Sequence, residues 1–359
     1  MSYITTKETE AGTRYYVVYN DRYGKRRWKV AGSTELEAQH LKLRIDAGLF
    51  PEERTPDRAT TFSELCDLWL PRRAARNIRP RTADGYEQVI RCHLDPFFHD
   101  QLVSRITLED CDEFVLWEGR RGTQPPTVNK SLTVLKMILK DALRWKYLHD
   151  DFLDDIKKIT VNRPEMQFLN LQEIDRFLAA ASPNYHALFA TAIYSGARQG
   201  ELIGLRRCNV DLKNAGIRIC EAYYEKYGYD QPKSDAGKRI IKISPRLVSI
   251  LKEHLERVDG GPEDLVFQNK EGRHINPQNM IVREFHPALE RAGVKRIRFH
   301  DGRHTYGGLL ASNSFPLKFI QRQMGHASIV TTLDLYGHLI PEVVERFGER
   351  FDALLSLGS

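Results

Sequence analysis

Long hydrophobic runs are missing from this 359-residue chain. No apolar stretch approaches the roughly 18–20 residues of a membrane span. The opening Met1-Ser2-Tyr3-Ile4-Thr5-Thr6-Lys7 has no apolar signal core. The default expectation is a cytoplasmic protein with no membrane partner. Cysteine is scarce. The five residues Cys66, Cys92, Cys111, Cys208 and Cys220 form no CxxC pair and are odd in number, which argues against a disulfide frame or a zinc site. Neither a GxxxxGK(S/T) loop nor a strand-borne GxGxxG is present, so no nucleotide site is indicated. Repeats and low-complexity tracts are absent. A strong charge imbalance is also lacking. The net charge of +6 permits a nucleic-acid partner without demanding one.

What is present reads as several domains, mainly α with small β elements, an α+β chain. Its length suits two or three cores. Residues 1–50 form a small unit. Arg14 to Tyr19 is a strand rich in β-formers, and Lys25 to Val30 is a second strand beyond turn chemistry. Thr34 and Glu37 then make a capping box for a helix with Leu36, His40, Leu43 and Ala47 on one face. The second strand carries Lys25, Arg26, Arg27 and Lys29 with Trp28. Such a ribbon suits a DNA groove, and a solvated edge strand guarded by lysines is the competing reading. Residues 51–60 read as a linker.

Residues 61–160 read as a helical bundle. Helices start at Thr61, after Pro80, at Thr107 and near Pro126, the last with Val128, Leu132, Leu135, Leu139 and Ala142 along one stripe. Between Pro71 and Arg81 lie Arg72, Arg73, Arg76, Arg79 and Arg81 with no acid. Guanidinium forks match phosphate oxygens, and a solvated helix end is the bland alternative. Residues 165–359 read as helices interrupted by strands at Ile217 to Cys220 and Arg239 to Ile243.

Three clusters in that last region carry chemistry. Ser195-Gly-Ala-Arg198-Gln-Gly-Glu201-Leu places an arginine at a helix start, where it can face an anion with Glu201 orienting it. A structural Arg–Glu ion pair is the simpler reading in isolation. Arg298-Phe-His300-Asp-Gly-Arg303-His-Thr puts His300 and Arg303 on one helical face. Gly325-His326-Ala-Ser-Ile-Val-Thr-Thr-Leu-Asp-Leu-Tyr336-Gly-His338 places a histidine ten residues before a tyrosine. One tyrosine among fifteen, at the end of an apolar helix, is usually core. It reads as a nucleophile only if the cations to hold a phosphate stand elsewhere.

Together, in this order and spacing, the three blocks resemble the tyrosine recombinase (phage integrase) family. Lys233, in Pro-Lys-Ser-Asp-Ala-Gly-Lys-Arg, stands at that family's hairpin-lysine place. The motif resemblance spans about residues 165–355 and reaches residues 1–160 by architecture alone. Gly302 departs from it, where the family usually has an apolar residue, and is expected to loosen local packing. The resemblance implies a site-specific recombinase of a phage or integrative element, needing neither ATP nor metal. It implies Tyr336 as nucleophile forming a 3′-phosphotyrosine. Arg198, Arg303 and His326 would bind the phosphate, His300 would accept the phenolic proton, Lys233 would protonate the leaving 5′ oxygen, and Glu201 would support Arg198. It further implies an arm-site binder (1–50), a core-site binder (61–160) and a catalytic domain (165–359). The tail helix from Pro341 to Leu355 would link four copies on double-stranded DNA, with accessory DNA-bending proteins, at a prokaryotic nucleoid; a helix packed on its own domain is the competing reading of that segment. A non-catalytic DNA-binding regulator and a Xer-like resolvase are the competing readings.

Overall fold

The computed structural model describes residues 2–9, 12–20, 26–46, 60–76, 78–161, 167–232 and 235–340. Lys25, Lys233, most of the 51–60 linker and the expected tail helix lie outside them. The chain forms two compact units, Met1–Asn162 and Arg163–Ser359.

The first unit begins with β1 (Tyr3–Thr9), β2 (Gly12–Asn20) and β3 (Arg26–Gly32), an antiparallel sheet in that order. Helix α1 (Glu35–Asp46) packs on it. Thr34 and Glu37 exchange the expected capping bonds, with the Thr34 N–H donating to Glu37 Oε2 at 3.0 Å. The helical face differs from expectation. Leu36 and Leu43 are exposed, and the buried residue is Ala38. A small side chain lets the helix lie close to the sheet, so the large leucines are turned outward. β1 has Thr, Lys and Glu in place of an apolar alternation, which is why only two strands are legible in the sequence.

The helical part contains α2 (Phe62–Ala74), α3 (Pro80–Val89), α4 (Asp95–Phe98), α5 (Leu108–Arg120) and α6 (Pro125–Arg144). A π-helical turn, Ile90–Leu94, joins α3 to α4. Capping boxes at Thr61/Glu64 and Thr107/Asp110 start α2 and α5. Phe62, Trp69, Phe98, Phe114, Leu132 and Leu135 fill the core. The Trp69 indole donates to Asp141 Oδ2 at 2.9 Å inside that core. Asp141 also corrects the picture of an arginine cluster without acids. Arg144 reaches it at 3.3 Å, Arg73 at 3.9 Å and Arg76 at 4.0 Å. Arg72 lies 4.9 Å from the Trp145 ring centre. The acid is supplied by α6, far along the chain, and local composition could not show it.

The second unit runs α7 (Leu171–Ala180), α8 (Pro183–Ser195), α9 (Gln199–Ile203), a small sheet, α10 (Pro245–Arg257), α11 (Pro277–Met280), α12 (His286–Arg291), α13 (Asp301–Ser312), α14 (Leu317–Met324) and α15 (Ile329–Tyr336). β4 (Val210–Asp211), β5 (Gly216–Ile219) and β8 (Arg239–Lys242) make the sheet, all antiparallel. Between β5 and β8 stands an extra hairpin, β6 (Ala222–Tyr224) and β7 (Gly228–Asp230), which packs on α9. Its strands are too short to show alternation in the sequence. Phe177, Phe189, Phe285 and Phe299 meet at ring distances of 5.3–6.3 Å around the main core. A second, smaller cluster holds Tyr306, Ala311, Ile320, Met324 and Tyr336.

Candidate active site

Helix α14 ends at Gly325, whose φ of +63° lies in the left-handed region. A side chain there would be strained, and its Cβ would lie 2.9 Å from Arg239 Cδ. The last carbonyls of such a helix lack partners within it. Three arginines from distant elements supply them. Arg239 Nε donates to Gln323 O at 2.7 Å, Arg303 Nη2 donates to Met324 O, and Arg198 Nη2 donates to Gly325 O at 3.2 Å. Arg303 Nη1 also donates to Gly196 O at 2.6 Å, just past the end of α8. The guanidiniums therefore gather at the negative ends of two helices, where cations are favoured.

One acid serves this group. Glu201 is 4% exposed. Its carboxylate accepts from Arg239 Nη1 and Nη2, both at 2.9 Å, and from Arg198 Nη1 at 2.9 Å. The Arg198 backbone N–H adds a fourth bond at 2.8 Å. Burial works against the charge, but the bonds and charges of Arg239 and Arg198 win and hold the carboxyl down at about 2. Arg303 is 3% exposed. Burial and the neighbouring Arg198 and Arg239 push it down to about 9, so it remains charged at neutral pH. Three cations against one carboxylate leave positive charge to spare. Beside them a cleft of about 410 Å³ is lined by Lys238, Arg239, Lys318, Arg322 and His326.

Tyr336 closes α15 and is fully buried. Its ring lies against Gly307 of α13. A Cβ at Gly307 would fall 2.4 Å from Tyr336 Cζ, so only glycine admits this approach. Burial raises the phenol to about 12, while Arg303 pulls the other way. Its hydroxyl lies 3.0 Å from His304 Nδ1. His326 Nδ1 lies 2.9 Å from the Thr332 hydroxyl, which is fully buried on α15. Burial, then Arg303 and Arg198, push His326 down to about 4. His300 stands at the N-cap of α13 and is exposed to solvent. Crowding by protein atoms, then His304 and Arg303, push it down to about 4, and solvent screens part of that effect.

The structure thus brings together Arg198, Glu201, His300, Arg303, His326 and Tyr336 from the sequence reading. Lys233 falls outside the described residues. Gly302 is buried in α13, and a Cβ there would make an ordinary 3.5 Å contact with Ile193. The first carbon of a side chain would thus fit against α8, in space that glycine leaves open. Two residues of the site had no role in the sequence reading. Arg239 alternates with Ile240 and shares the inward face of β8 with Ile241, so a charge at an inward position was the available signal. His304 lies one turn after His300, and nothing in its spacing points to Tyr336. In the first unit, Arg26 lies 5.3 Å from the Tyr3 ring centre. Lys29 is half-buried, and Arg27 belongs to β3. Arg79 precedes α3 and Arg81 is exposed on it.

A phenol beside carbonyl-anchored guanidiniums, with histidines around it, has the groups that nucleophilic attack at a phosphodiester would require. Comparisons with known proteins bear on the family. The family model described as the phage integrase family matches residues 167–342. That of the phage integrase N-terminal SAM-like domain matches residues 61–116. The ICEBs1 integrase of Bacillus subtilis is 23% identical, covering 92% of this chain and 93% of its own. A Tn1549 transposon integrase bound to circular intermediate DNA superposes with a TM-score of 0.68 at 21% identity, covering 80% of this chain and 99% of its own. A lambda integrase from a tetramer bound to a Holliday junction gives 0.61 at 16% identity, covering 89% and 92%. The class is tyrosine recombinase. The chain belongs to the phage integrase family. Among the described residues, no helix is long and apolar enough to cross a membrane.

Proposed function

We propose that this chain integrates or excises a phage or integrative element, with Tyr336 attacking a DNA phosphate to form a 3′-phosphotyrosine. The observation that carries the assignment to Tyr336 is its place beside Arg303. Arg303 favours the phenolate against the effect of burial, and the hydroxyl stands 3.0 Å from His304, the residue that follows Arg303. Phosphodiester cleavage builds charge on the non-bridging oxygens, and fixed cations stabilise that transition state more than the ground state. Arg198 and Arg303 take this role, and His326 donates a further hydrogen bond. Glu201 orients Arg198. Lys233 protonates the leaving 5′ oxygen. The covalent intermediate keeps the bond energy, so the 5′ hydroxyl can reverse the step.

The sheet of the first unit, with Arg26, Arg27 and Lys29 beside Lys25, binds arm sites. The helical part, with Arg72, Arg73, Arg76, Arg79 and Arg81, binds core sites. Four copies assemble on DNA through the C-terminal segment, with bending proteins assisting, inside a prokaryotic cell. Tyr336→Phe tests the assignment. The variant should bind DNA from the flanks of the gene with wild-type affinity and trap no covalent adduct. An adduct at the wild-type level would remove Tyr336 from the mechanism.

A further inference from the structure

Among the described residues, the histidine hydrogen-bonded to the nucleophile is His304. The sequence reading gives the phenolic proton to His300. His300 stands one turn earlier on α13, with its ring edge-on to His304 at 5.1 Å and 85°. Its ring makes no hydrogen bond to the phenol, whereas His304 Nδ1 lies 3.0 Å from Tyr336 Oη. We infer that His304 Nδ1 is the acceptor of the Tyr336 proton during attack. This inference rests on Tyr336 being the nucleophile.

Geometry and electrostatics support it. A phenol hydroxyl can donate to the facing imidazole nitrogen, which accepts in the tautomer that carries the His304 proton on Nε2. The distance is within the reach required of a general base. Burial, with Arg298 and Arg303, lowers the His304 pKa, so the ring is neutral and able to accept at pH 7. The Asp301 carboxylate opposes that shift and favours the imidazolium once the proton arrives. Asp301 is itself fixed by Arg298, whose Nη2 donates to Oδ1 at 2.7 Å. The charged and titratable groups around His304 are thus Asp301, Arg298, Arg303, His300, His326 and Tyr336. His304 also follows Arg303 directly in one rigid helix. The group that meets the phosphate and the group that meets the phenol are set in register by a single element.

The step balances. The Tyr336 Oη–phosphorus bond forms as the bond from phosphorus to the 5′ oxygen breaks. The phenolic proton passes to His304 Nδ1, and the 5′ oxygen takes a proton from the site's acid. In reversal the 5′ hydroxyl attacks phosphorus, and His304 returns its proton to the departing phenolate.

The test is single-turnover cleavage by the full chain of a nicked suicide duplex from the DNA flanking the gene, between pH 5.5 and 9. Wild type, H304A, H304N and H300A are compared, with gel-shift affinity and melting temperature as controls for folding. Asn places an acceptor near the Nδ1 position but cannot hold the proton. H304A and H304N should both cut at least about 10²-fold more slowly at unchanged DNA affinity. Both should lose the acidic limb of the pH profile, which H300A keeps. Added imidazole should restore part of the H304A rate. Cleavage by H304A or H304N within threefold of wild type, or faster, would overturn the inference and make the contact a clamp on the resting phenol. An unchanged pH profile without imidazole rescue would overturn it as well. Peptide mapping of the wild-type adduct separates the two readings. An adduct on another residue removes the nucleophile assignment, while an adduct on Tyr336 with normal H304 variants removes this inference alone.

Discussion

Replacing Arg239 by Met should separate the stability of the site from its chemistry. The Arg239 side chain is 6% exposed and donates both Nη atoms to Glu201 at 2.9 Å and Nε to Gln323 O at 2.7 Å. Methionine roughly keeps the volume and removes these bonds, with the one from Nη1 to Gly237 O at 3.2 Å. Glu201 stays buried, retaining the Arg198 guanidinium and backbone N–H. Breaking a buried ion pair from one side costs about 3–5 kcal/mol, and the surviving Arg198 bonds place this case near the lower end. For a unit of this size each kcal/mol moves the melting temperature by about 2–4 °C. The expected loss is therefore about 6–12 °C by differential scanning calorimetry at pH 7. The pH dependence follows in sign. Glu201 is held at about 2 in the folded protein, below the ordinary carboxyl value. Its contribution is present above that ordinary value and is lost as pH falls toward 2. Without Arg239 the folded pKa rises, so the gap between wild type and variant should narrow as pH drops below about 4.5. The double variant R239M/E201M removes both charges and should recover most of the stability, because no buried charge is stranded. It should still cut slowly, since Arg198 has lost its orienting acid. An R239M melting temperature within 2 °C of wild type, or a gap independent of pH, would refute this account.

Gly307→Ala should drive the Tyr336 ring from its seat, since the new Cβ would fall 2.4 Å from Cζ. Displacement of about 1 Å costs on the order of 10²-fold in rate, so suicide-substrate cleavage should collapse while gel-shift affinity holds. Trp69→Phe removes the indole donor from buried Asp141 and should destabilise the first unit by about 1–3 kcal/mol in urea titration; a smaller change would mean the arginines alone satisfy that acid. The folded pKa of His326 lies near 4, below the ordinary value near 6.5. The stability gained by burying it neutral is complete above about pH 6.5 and is lost as pH falls through 4. Melting temperature should therefore fall more steeply between pH 6.5 and 4 in wild type than in His326→Asn.

The boundaries of the large helices were legible because their caps are local. Thr61/Glu64, Thr107/Asp110 and the stripe on α6 can be read within one or two turns. The candidate site was legible through the order and spacing of three blocks that resemble a family, since Arg198, Arg303 and Tyr336 each read singly as structural. What escaped was long-range. Asp141 meets Arg73 and Arg76 across more than sixty residues of chain. Arg239 reaches Gln323 across 84 positions. His304 joins Tyr336 only because Gly307 admits the ring between α13 and α15. Partners of this kind belong to the packing of elements, and neither spacing nor composition encodes them in a single window.

The three carbonyls at the end of α14 also order events in time. Chains are made from the N-terminus, and Arg198, Arg239 and Arg303 all emerge from the ribosome before Gln323, Met324 and Gly325. Until that turn is made, the cations lack their anchors, and Tyr336 comes later still. On the proposed roles, a chain stalled partway can carry basic side chains to DNA, yet it has neither a fixed phosphate cradle nor a nucleophile. On that proposal, competence to break DNA is acquired only once Tyr336 has been made, after the sheet and helices that precede it in the chain.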